Sequence, residues 1–272
     1  MKDYTALLLD LDGVVYRGDR LLPGARELVE WLDASGRRVI YLSNNSFATP
    51  DEVAAKLARL GMPAPAGRVL TAGAAAAAAI AQRFPGGRVC ALAVPSVAGM
   101  VAAAGLQLVW EEREDGPPPQ ALLVGLDRAL TYDRLRRGLR AILAGAVFVA
   151  VNRDPRLPVE DGFDPGTGSI VAALEFASGQ RAEIVGKPSP GIVLEALRRL
   201  GSGPDRALMV GDALEMDVAA GHAAGVDTAL VLTGVSTGEQ ARAAPENQRP
   251  TYVFDDLPGL LSALRHGRTP GA

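Results

Sequence analysis

The sequence predicts an α/β protein: a Rossmann-like, doubly wound parallel sheet with a second, smaller α/β unit inserted into the chain. Two observations lead to this prediction. Short apolar runs alternate with segments of helical periodicity, which is the pattern of β-α-β units and therefore of parallel sheets. Polar clusters also follow several of these runs directly, some near the N-terminus and some beyond residue 180, so parts of one site lie on both sides of a long intervening segment.

Seven apolar runs are short enough to be strands buried on both faces. They predict strands over residues 6–11, 38–42, 89–94, 121–124, 147–151, 207–210 and 228–232. The intervening periodicity predicts helices over residues 24–35, 50–60, 132–143, 190–200 and 217–224. The alanine run at 74–79 predicts one more, because alanine has the highest helix propensity.

Local signals mark several of these helix boundaries. Thr49-Pro50 and Ser189-Pro190 each combine an N-cap side chain with a proline in the first turn. Gly36, Gly61 and Gly201 each follow a helical segment, where a left-handed glycine commonly ends the helix.

Composition narrows the class of protein. Of 272 residues, 48% are hydrophobic and 22% charged, which is typical of a globular chain with ample core material. The net charge of −3 argues against a nucleic-acid partner. The single cysteine, Cys90, excludes an internal disulfide and a cysteine zinc site. With only His222 and His266, a histidine zinc site or a Ser-His-Asp triad is disfavoured.

Targeting signals are also absent from the sequence pattern. No apolar run approaches the length of a membrane span, and acidic residues interrupt the N-terminal region where a secretory signal would lie. We therefore expect a cytoplasmic protein with no membrane partner.

The first polar cluster is Asp10-Leu11-Asp12-Gly13, which ends the run Leu7-Leu8-Leu9. Aspartate disfavours strands, so the run ends where ligands bind in open α/β sheets, at the carboxyl end of a strand. Two carboxylates two residues apart suit both a hard cation and a nucleophile. A solvated turn is the alternative, because Asp and Gly also form turns.

Three more clusters allow the same two interpretations. Ser43-Asn44-Asn45-Ser46 offers a hydroxyl and backbone N–H groups to a phosphate oxygen, and Lys187 precedes a predicted helix and offers a positive charge. Asp212 and Asp217 follow the run at 207–210. Taken singly, a polar turn, a surface lysine and an acidic helix start also explain them. Taken together, they place polar groups along one edge of a parallel sheet.

These residues resemble the motifs of the haloacid dehalogenase (HAD)-like phosphohydrolases: motif one at residues 10–14, then Ser43, Lys187, and Gly211-Asp212 with Asp217. Further stretches resemble the NagD-like branch, which holds p-nitrophenylphosphatases, phosphoglycolate phosphatases and nucleotide phosphatases. They include Tyr16-Arg17-Gly18, Asn152-Arg153-Asp154, Pro165-Gly166-Thr167-Gly168-Ser169 and Leu232-Thr233-Gly234-Val235. The chain departs from the family at Ala213 and Met216, where polar side chains are common; this alters support of the metal without removing a ligand.

The resemblance implies a Mg²⁺-dependent phosphatase that works through an aspartyl-phosphate. Asp10 would attack phosphorus, and Asp12 would protonate the leaving oxygen and then activate water. Magnesium would be held by Asp10, the backbone carbonyl of Asp12, and Asp212, with Asp217 binding it directly or through water. The phosphoryl group would be held by Ser43, the N–H groups of Asn44 and Asn45, and Lys187.

The resemblance to this family also implies that the chain is divided into two domains. Residues 1–80 and 182–272 would form the catalytic core, and residues 81–181 an inserted α/β (C2-type) cap that closes over the site and selects the substrate. Asn152 and Asp154 are candidate substrate-binding residues of this cap. Because caps of this branch can mediate dimers, a homodimer through the cap is expected.

The substrate is expected to be a small phosphate monoester of the p-nitrophenyl phosphate, phosphoglycolate or glycerol phosphate type. Nucleoside monophosphates and pyridoxal phosphate are alternatives. A phosphotransferase would pass the phosphoryl group to an alcohol instead of water. A regulator that binds a phosphometabolite without turnover is the alternative of another class, although a binder has no need of Asp10, Asp12 and Lys187 together.

Overall fold

The computed structural model describes residues 1–109, 117–159 and 162–267. The chain forms two compact units. We call the first the core unit (Met1–Ser43, Pro50–Leu70 and Lys187–Ala272) and the second the insert unit (Asn44–Thr49 and Thr71–Gly186). The chain therefore passes from one unit to the other at four points.

This division differs from the predicted boundaries at residues 80 and 182. The chain enters the insert unit about ten residues earlier, and the short segment Asn44–Thr49 belongs there as well. The physical reason lies in the alanine-rich helix at 72–83, which packs against a second helix and a strand of the insert unit. Its small side chains allow that close approach, and no local signal in the sequence indicates which sheet the helix joins.

The strands, in chain order, are β1 (Ala6–Asp10), β2 (Tyr16–Arg17), β3 (Arg20–Leu21), β4 (Arg38–Ser43), β5 (Val69–Thr71), β6 (Arg88–Leu92), β7 (Gln107–Leu108), β8 (Ala121–Val124), β9 (Val147–Ala150), β10 (Arg156–Val159), β11 (Gly162–Pro165), β12 (Glu183–Ile184), β13 (Ala207–Gly211), β14 (Asp227–Val231) and β15 (Tyr252–Phe254).

The α-helices of the described residues are α1 (Ala25–Ala34), α2 (Pro50–Arg59), α3 (Ala72–Arg83), α4 (Pro95–Ala103), α5 (Tyr132–Leu143), α6 (Thr167–Ser178), α7 (Gly191–Leu200), α8 (Ala219–Ala223), α9 (Gly238–Ala243) and α10 (Leu257–His266). Within that part of the chain, no helix is long and apolar enough to cross a lipid bilayer.

The core unit is built on a sheet with the strand order β15-β14-β13-β1-β4-β5. The pairs β1–β13, β1–β4, β13–β14 and β14–β15 are all parallel, as the alternation of strands and helices predicts. The central strands are apolar on both faces because helices flank the sheet: α7 packs on β1 and β4, and α1 on β4 and α10. Leu7, Leu8 and Leu9 are completely buried.

The insert unit repeats this architecture on a smaller scale. Its sheet has the order β12-β9-β8-β6-β7, and its described pairs are also parallel. Helices α5 and α6 pack on each other and on strands of this sheet, around a core that includes Leu122, Phe148, Val171 and Leu174. The fold class predicted from the sequence, a parallel α/β core with a smaller inserted α/β unit, is confirmed.

Two predicted helix starts differ from the observed ones. Helix α7 is preceded by Pro190 in helical conformation, without a side-chain cap, so Ser189 is not its N-cap. The helix predicted over 217–224 is preceded by one π-helical turn, Leu214–Val218, and α8 itself is shorter. Gly36, Gly61 and Gly201 do adopt positive φ after their helices, as predicted.

Candidate active site

Parallel pairing brings the ends of three core-unit strands to one edge of the sheet. Asp10 is the last residue of β1 and is in register with Leu42, directly before Ser43 at the end of β4. On the other side of β1, Leu9 is in register with Val210, two residues before Asp212. Because the three strands run in the same direction, the predicted site residues after them share this edge.

Lys187 connects two of the carboxylates. Its Nζ donates hydrogen bonds to Oδ1 of Asp10 and, over 2.7 Å, to Oδ1 of Asp217. The lysine side chain is only 4% exposed and that of Asp217 only 2%. Lys187 is therefore a buried part of the carboxylate cluster, and the surface-lysine alternative is excluded.

Asp217 reaches the cluster through the π-helical turn. Its backbone N–H donates to the carbonyl of Ala213 over 2.8 Å. Its Oδ2 accepts from the N–H of Asp212 at 3.1 Å and of Ala213 at 3.0 Å. The wider turn lets the side chain fold back onto the strand end from which it came. Asp217 thus holds both Lys187 and the backbone that carries Asp212.

Asp212 is held by the loop that follows β14. Its Oδ2 accepts the N–H of Val235 at 2.8 Å. A Cβ at Gly234 would lie 1.8 Å from this Oδ2, and a Cβ at Gly13 would lie 2.3 Å from it. A side chain at either position would displace the Asp212 carboxylate, and at Gly13 the positive φ of 80° is a second reason for glycine. Sequence reasoning placed both glycines in stretches that resemble the family but gave neither a role, because their contact is with an aspartate far away in the chain.

Burial and mutual repulsion set the protonation behaviour of the cluster. Burial raises the pKa of Asp10, Lys187 opposes this rise, and Asp217 and Asp212 add to it. Burial and then Asp217 raise the pKa of Asp212 to about 6. Burial alone would lower the pKa of Lys187, but the carboxylates of Asp10 and Asp217 raise it above its usual value. One ammonium therefore does not compensate three buried carboxylates.

This charge imbalance fits a bound divalent cation. Asp10, Asp212 and Asp217 each offer an oxygen, and the three oxygens lie within 4.8 Å of one another. Carboxylate oxygens are the ligands that magnesium prefers, and a cation among them would offset the repulsion that contributes to the raised pKa values of Asp10 and Asp212. Of the four predicted metal ligands, the carboxylate of Asp12 is outside this group.

Asp12 lies in a different environment from Asp10. Asp12 is an exposed residue, whereas Asp10 is buried, and the Asp12 carboxylate accepts a hydrogen bond from the Tyr16 hydroxyl. Partial desolvation raises its pKa, while Lys56, Lys187 and Tyr16 limit the rise. The Lys56 ammonium lies 3.9 Å from the centre of the Tyr16 ring. A carboxyl with a raised pKa is suited to donate a proton.

The remaining predicted site residues are divided between the units. Ser43 is buried in the core unit, and Asn44 and Asn45 open the insert-unit segment that follows it. The Asn45 side chain accepts from the N–H groups of Phe47 and Ala48, both at 2.8 Å, and so shapes this turn. Asn152 and Asp154 lie in the insert unit, after β9. His222 lies in α8, where its ring contacts the carbonyl of Arg249.

The structure therefore brings three carboxylates and a buried lysine together at one edge of a parallel α/β sheet. The haloacid dehalogenase-like hydrolase model matches residues 7–107, and the HAD-hydrolase-like model matches residues 184–260.

Known relatives match over nearly the whole chain. An acid sugar phosphatase of Staphylococcus aureus (strain MRSA252) is 35% identical over 264 residues, which are 97% of this chain and 99% of that protein. Among solved structures, a glycerol phosphate phosphatase from Mycobacterium tuberculosis in complex with magnesium has 38% identity and a TM-score of 0.82, with coverage of 95% of this chain and 76% of that one. A p-nitrophenyl phosphatase from Archaeoglobus fulgidus has 34% identity and a TM-score of 0.86, with coverage of 97% and 100%.

The chain belongs to the HAD-like hydrolase family, in its NagD-like branch. It is accordingly a phosphoric monoester hydrolase.

Proposed function

We propose that this protein is a Mg²⁺-dependent phosphatase of small phosphate monoesters, and that turnover passes through an aspartyl-phosphate on Asp10. The observation that carries the proposal is the bridge from Lys187 to Asp10 and Asp217 at the end of β1. It supports the nucleophilic role because the ammonium favours the ionised form of a carboxyl whose burial would otherwise keep it protonated.

In the first half-reaction, an oxygen of the Asp10 carboxylate attacks phosphorus, and the bond from phosphorus to the ester oxygen breaks. Asp12 gives its proton to that leaving oxygen, and the alcohol departs. In the second half-reaction, Asp12 takes a proton from water as the water attacks the phosphoryl group. The bond from phosphorus to Asp10 breaks, inorganic phosphate is released, and the Asp10 carboxylate is regenerated.

The transferred phosphoryl group needs partners for its oxygens in both steps. The hydroxyl of Ser43, the N–H groups of Asn44 and Asn45, and the Lys187 ammonium are the proposed donors. Asp10, Asp212, the Asp12 carbonyl and, directly or through water, Asp217 would hold Mg²⁺. When bound, the cation supplies charge that offsets the repulsion between a dianionic substrate and the carboxylates.

Support for the substrate class comes from the relatives, which are named for sugar phosphate, glycerol phosphate and p-nitrophenyl phosphate. We extend this class to the present chain, with nucleoside monophosphates and pyridoxal phosphate as alternatives. We also propose that the insert unit selects among these esters as a cap domain, that it mediates a homodimer, and that the enzyme acts in the cytoplasm.

Phosphate release from a panel of esters, with and without Mg²⁺, tests the proposal. The panel includes p-nitrophenyl phosphate, glycerol phosphates, sugar phosphates, phosphoglycolate, nucleoside monophosphates and pyridoxal phosphate. We expect Mg²⁺-dependent release that Asp10→Asn abolishes. Transfer to an added alcohol without phosphate release would indicate a phosphotransferase, and binding without turnover would indicate a regulator.

A further inference from the structure

Two proposed phosphoryl-binding residues, Ser43 and Lys187, are each joined directly to a residue of the insert unit, and these two insert-unit residues lie beside the end of the same strand. Of the four points where the chain passes between units, one directly follows Ser43 and another directly precedes Lys187. On the insert-unit side, these points begin with Asn44 and end with Gly186. Asn44 contacts Asn152 and Gly186 contacts Val151, and these are the two residues that follow β9.

Asn152 secures the first of these points. It is 2% exposed, and its Nδ2 donates to the backbone carbonyl of Asn44 over 3.1 Å. Its Oδ1 accepts the N–H of Asp154 at 3.3 Å, which fixes the orientation of the carboxamide. Both polar ends of the side chain are thus bound within the insert unit, which favours a structural task over the substrate contact expected from the sequence.

Val151 secures the second point through its backbone. The N–H of Gly186 donates to the Val151 carbonyl over 2.8 Å and extends the β9–β12 pairing to the residue before Lys187. A Cβ at Gly186 would lie 2.5 Å from both the Val151 carbonyl oxygen and Oδ1 of Asn44, and 3.3 Å from Cβ of Ala72. The two chain segments therefore pack directly on each other and on the start of α3.

We propose that Asn152 is a positioning residue of the active site, which ties the backbone after Ser43 to the same strand end that holds the backbone before Lys187. The proposal rests on the proposed function, because Ser43 and Lys187 are its phosphoryl-binding groups. Each is one residue from the tie, so loss of the tie displaces both groups relative to the phosphoryl oxygens. A displacement of about 1 Å is enough to cost on the order of a hundredfold in rate.

The test variant is Asn152→Asp, which keeps the shape and the acceptor for Asp154 but replaces the donor with a carboxylate facing the Asn44 carbonyl. Gly186→Ala disturbs the same contact from the other segment. The matched control is Asp127→Asn. Asp127 is 6% exposed, follows the neighbouring strand β8, and bonds to the N–H of Ala129 and to Arg134 within the insert unit.

Three quantities are measured on the full chain: kcat and KM for p-nitrophenyl phosphate, the inhibition constant of inorganic phosphate, and deuterium uptake of segments 44–49 and 183–188. We expect Asn152→Asp and Gly186→Ala to lower kcat/KM by about tenfold or more, to weaken phosphate inhibition, and to increase uptake in both segments. Asp127→Asn lowers Tm and leaves the kinetics and this uptake at wild-type values.

Wild-type kinetics in Asn152→Asp, or an equal loss of kcat/KM in Asp127→Asn at a similar fall in Tm, would overturn the proposal. Deuterium uptake separates it from the proposed function. If the wild type releases no phosphate, the proposed function fails, and the tie is still supported by increased uptake in both segments or refuted by its absence.

Discussion

The two parallel sheets of this protein have the same construction but use their carboxyl edges differently. In the core unit, Asp10 and Asp212 lie close enough to a third carboxylate that burial and repulsion raise their pKa values. In the insert unit, Asp127 and Asn152 follow β8 and β9, and their polar atoms bond to neighbouring chain segments. The core-unit edge brings several carboxylates close together, whereas the polar side chains at the insert-unit edge hydrogen-bond to the loops around them.

Buried carboxylates away from the core-unit edge support this distinction. Burial raises the pKa of Glu175, but the N–H of Ala182 and the guanidinium groups of Arg153 and Arg181 outweigh it, so the pKa is lowered overall. The pKa of Glu195 is lowered in the same way, because hydrogen bonds from Arg198 and Arg199 outweigh the effect of burial. A buried carboxylate with enough donors stabilises the fold, whereas a cluster of buried carboxylates with too few donors is a candidate for a cation site or a catalytic site.

The largest expected effect is that of Asp10→Asn. An amide cannot form the acyl-phosphate, so phosphate release should fall by about a thousandfold or more. Circular dichroism and Tm should stay near wild type, because the variant also removes one of the repelling charges. A variant that keeps most of its activity would contradict the assignment of Asp10 as nucleophile.

Lys187→Ala should cost on the order of a hundredfold in kcat/KM, because it removes a fixed positive charge beside the nucleophile. Lys2→Ala is the matched control: Lys2 pairs with Asp227 at the opposite edge of the same sheet and is exposed. Steady-state kinetics of both variants measure the contrast. Equal, small losses would mean that the buried bridge is only structural.

Gly234→Ala tests the support of Asp212 without changing a charged group. The new Cβ would overlap Oδ2 of Asp212, so the carboxylate must move, and the Mg²⁺ concentration for half-maximal activity should rise by about tenfold or more. In the insert unit, Gly125 also follows a strand, but its nearest contact would be 3.2 Å, with Cβ of Ala93. Gly125→Ala should leave the Mg²⁺ dependence unchanged, and equal shifts in both variants would contradict the supporting role of Gly234.

The smallest effect is expected for Glu175→Gln, which should lower stability by about 1–2 kcal/mol at neutral pH, as for loss of hydrogen bonds to a charged group. Because the folded-state pKa of Glu175 is lowered, its contribution is present above the unfolded-state pKa and is lost as pH falls through the folded-state value. Denaturant unfolding at pH 7 and below pH 4 should therefore show the difference from wild type shrinking in acid. A constant difference would refute the linkage.

The main strands could be predicted from their long apolar runs, whereas the shortest strands could not be predicted from the sequence. Strands such as β12, with two residues, and β15, with three, carry too few side chains to show a period. They form because a neighbouring strand offers unpaired backbone groups. The predicted helix start at 217 failed for a similar reason: the π-helical turn is stabilised by the contact of the Asp217 side chain with the Asp212 and Ala213 N–H groups, which local propensity does not include.

The candidate site also contains residues whose roles could be predicted from the sequence and residues whose roles could not. Asp10, Asp12, Ser43, Lys187 and Asp212 could be proposed from the sequence because polar residues interrupt or follow regular patterns. Gly13, Gly234 and Val235 lie in stretches that resemble the family, but their contacts with Asp212 could not be predicted, since Asp212 is far away in the chain.

The α/β class, the parallel sheets and the residue types of the candidate site could be predicted from the amino-acid sequence, because hydrophobic periodicity and turn chemistry act over a few neighbouring residues. Three features became known from the folded chain alone: the sheet that the alanine-rich helix joins, the carboxylates that share Lys187, and the hydrogen bond from Asn152 to the Asn44 carbonyl. These are long-range contacts, and their energies depend on burial and on distances that exist only once the chain has folded.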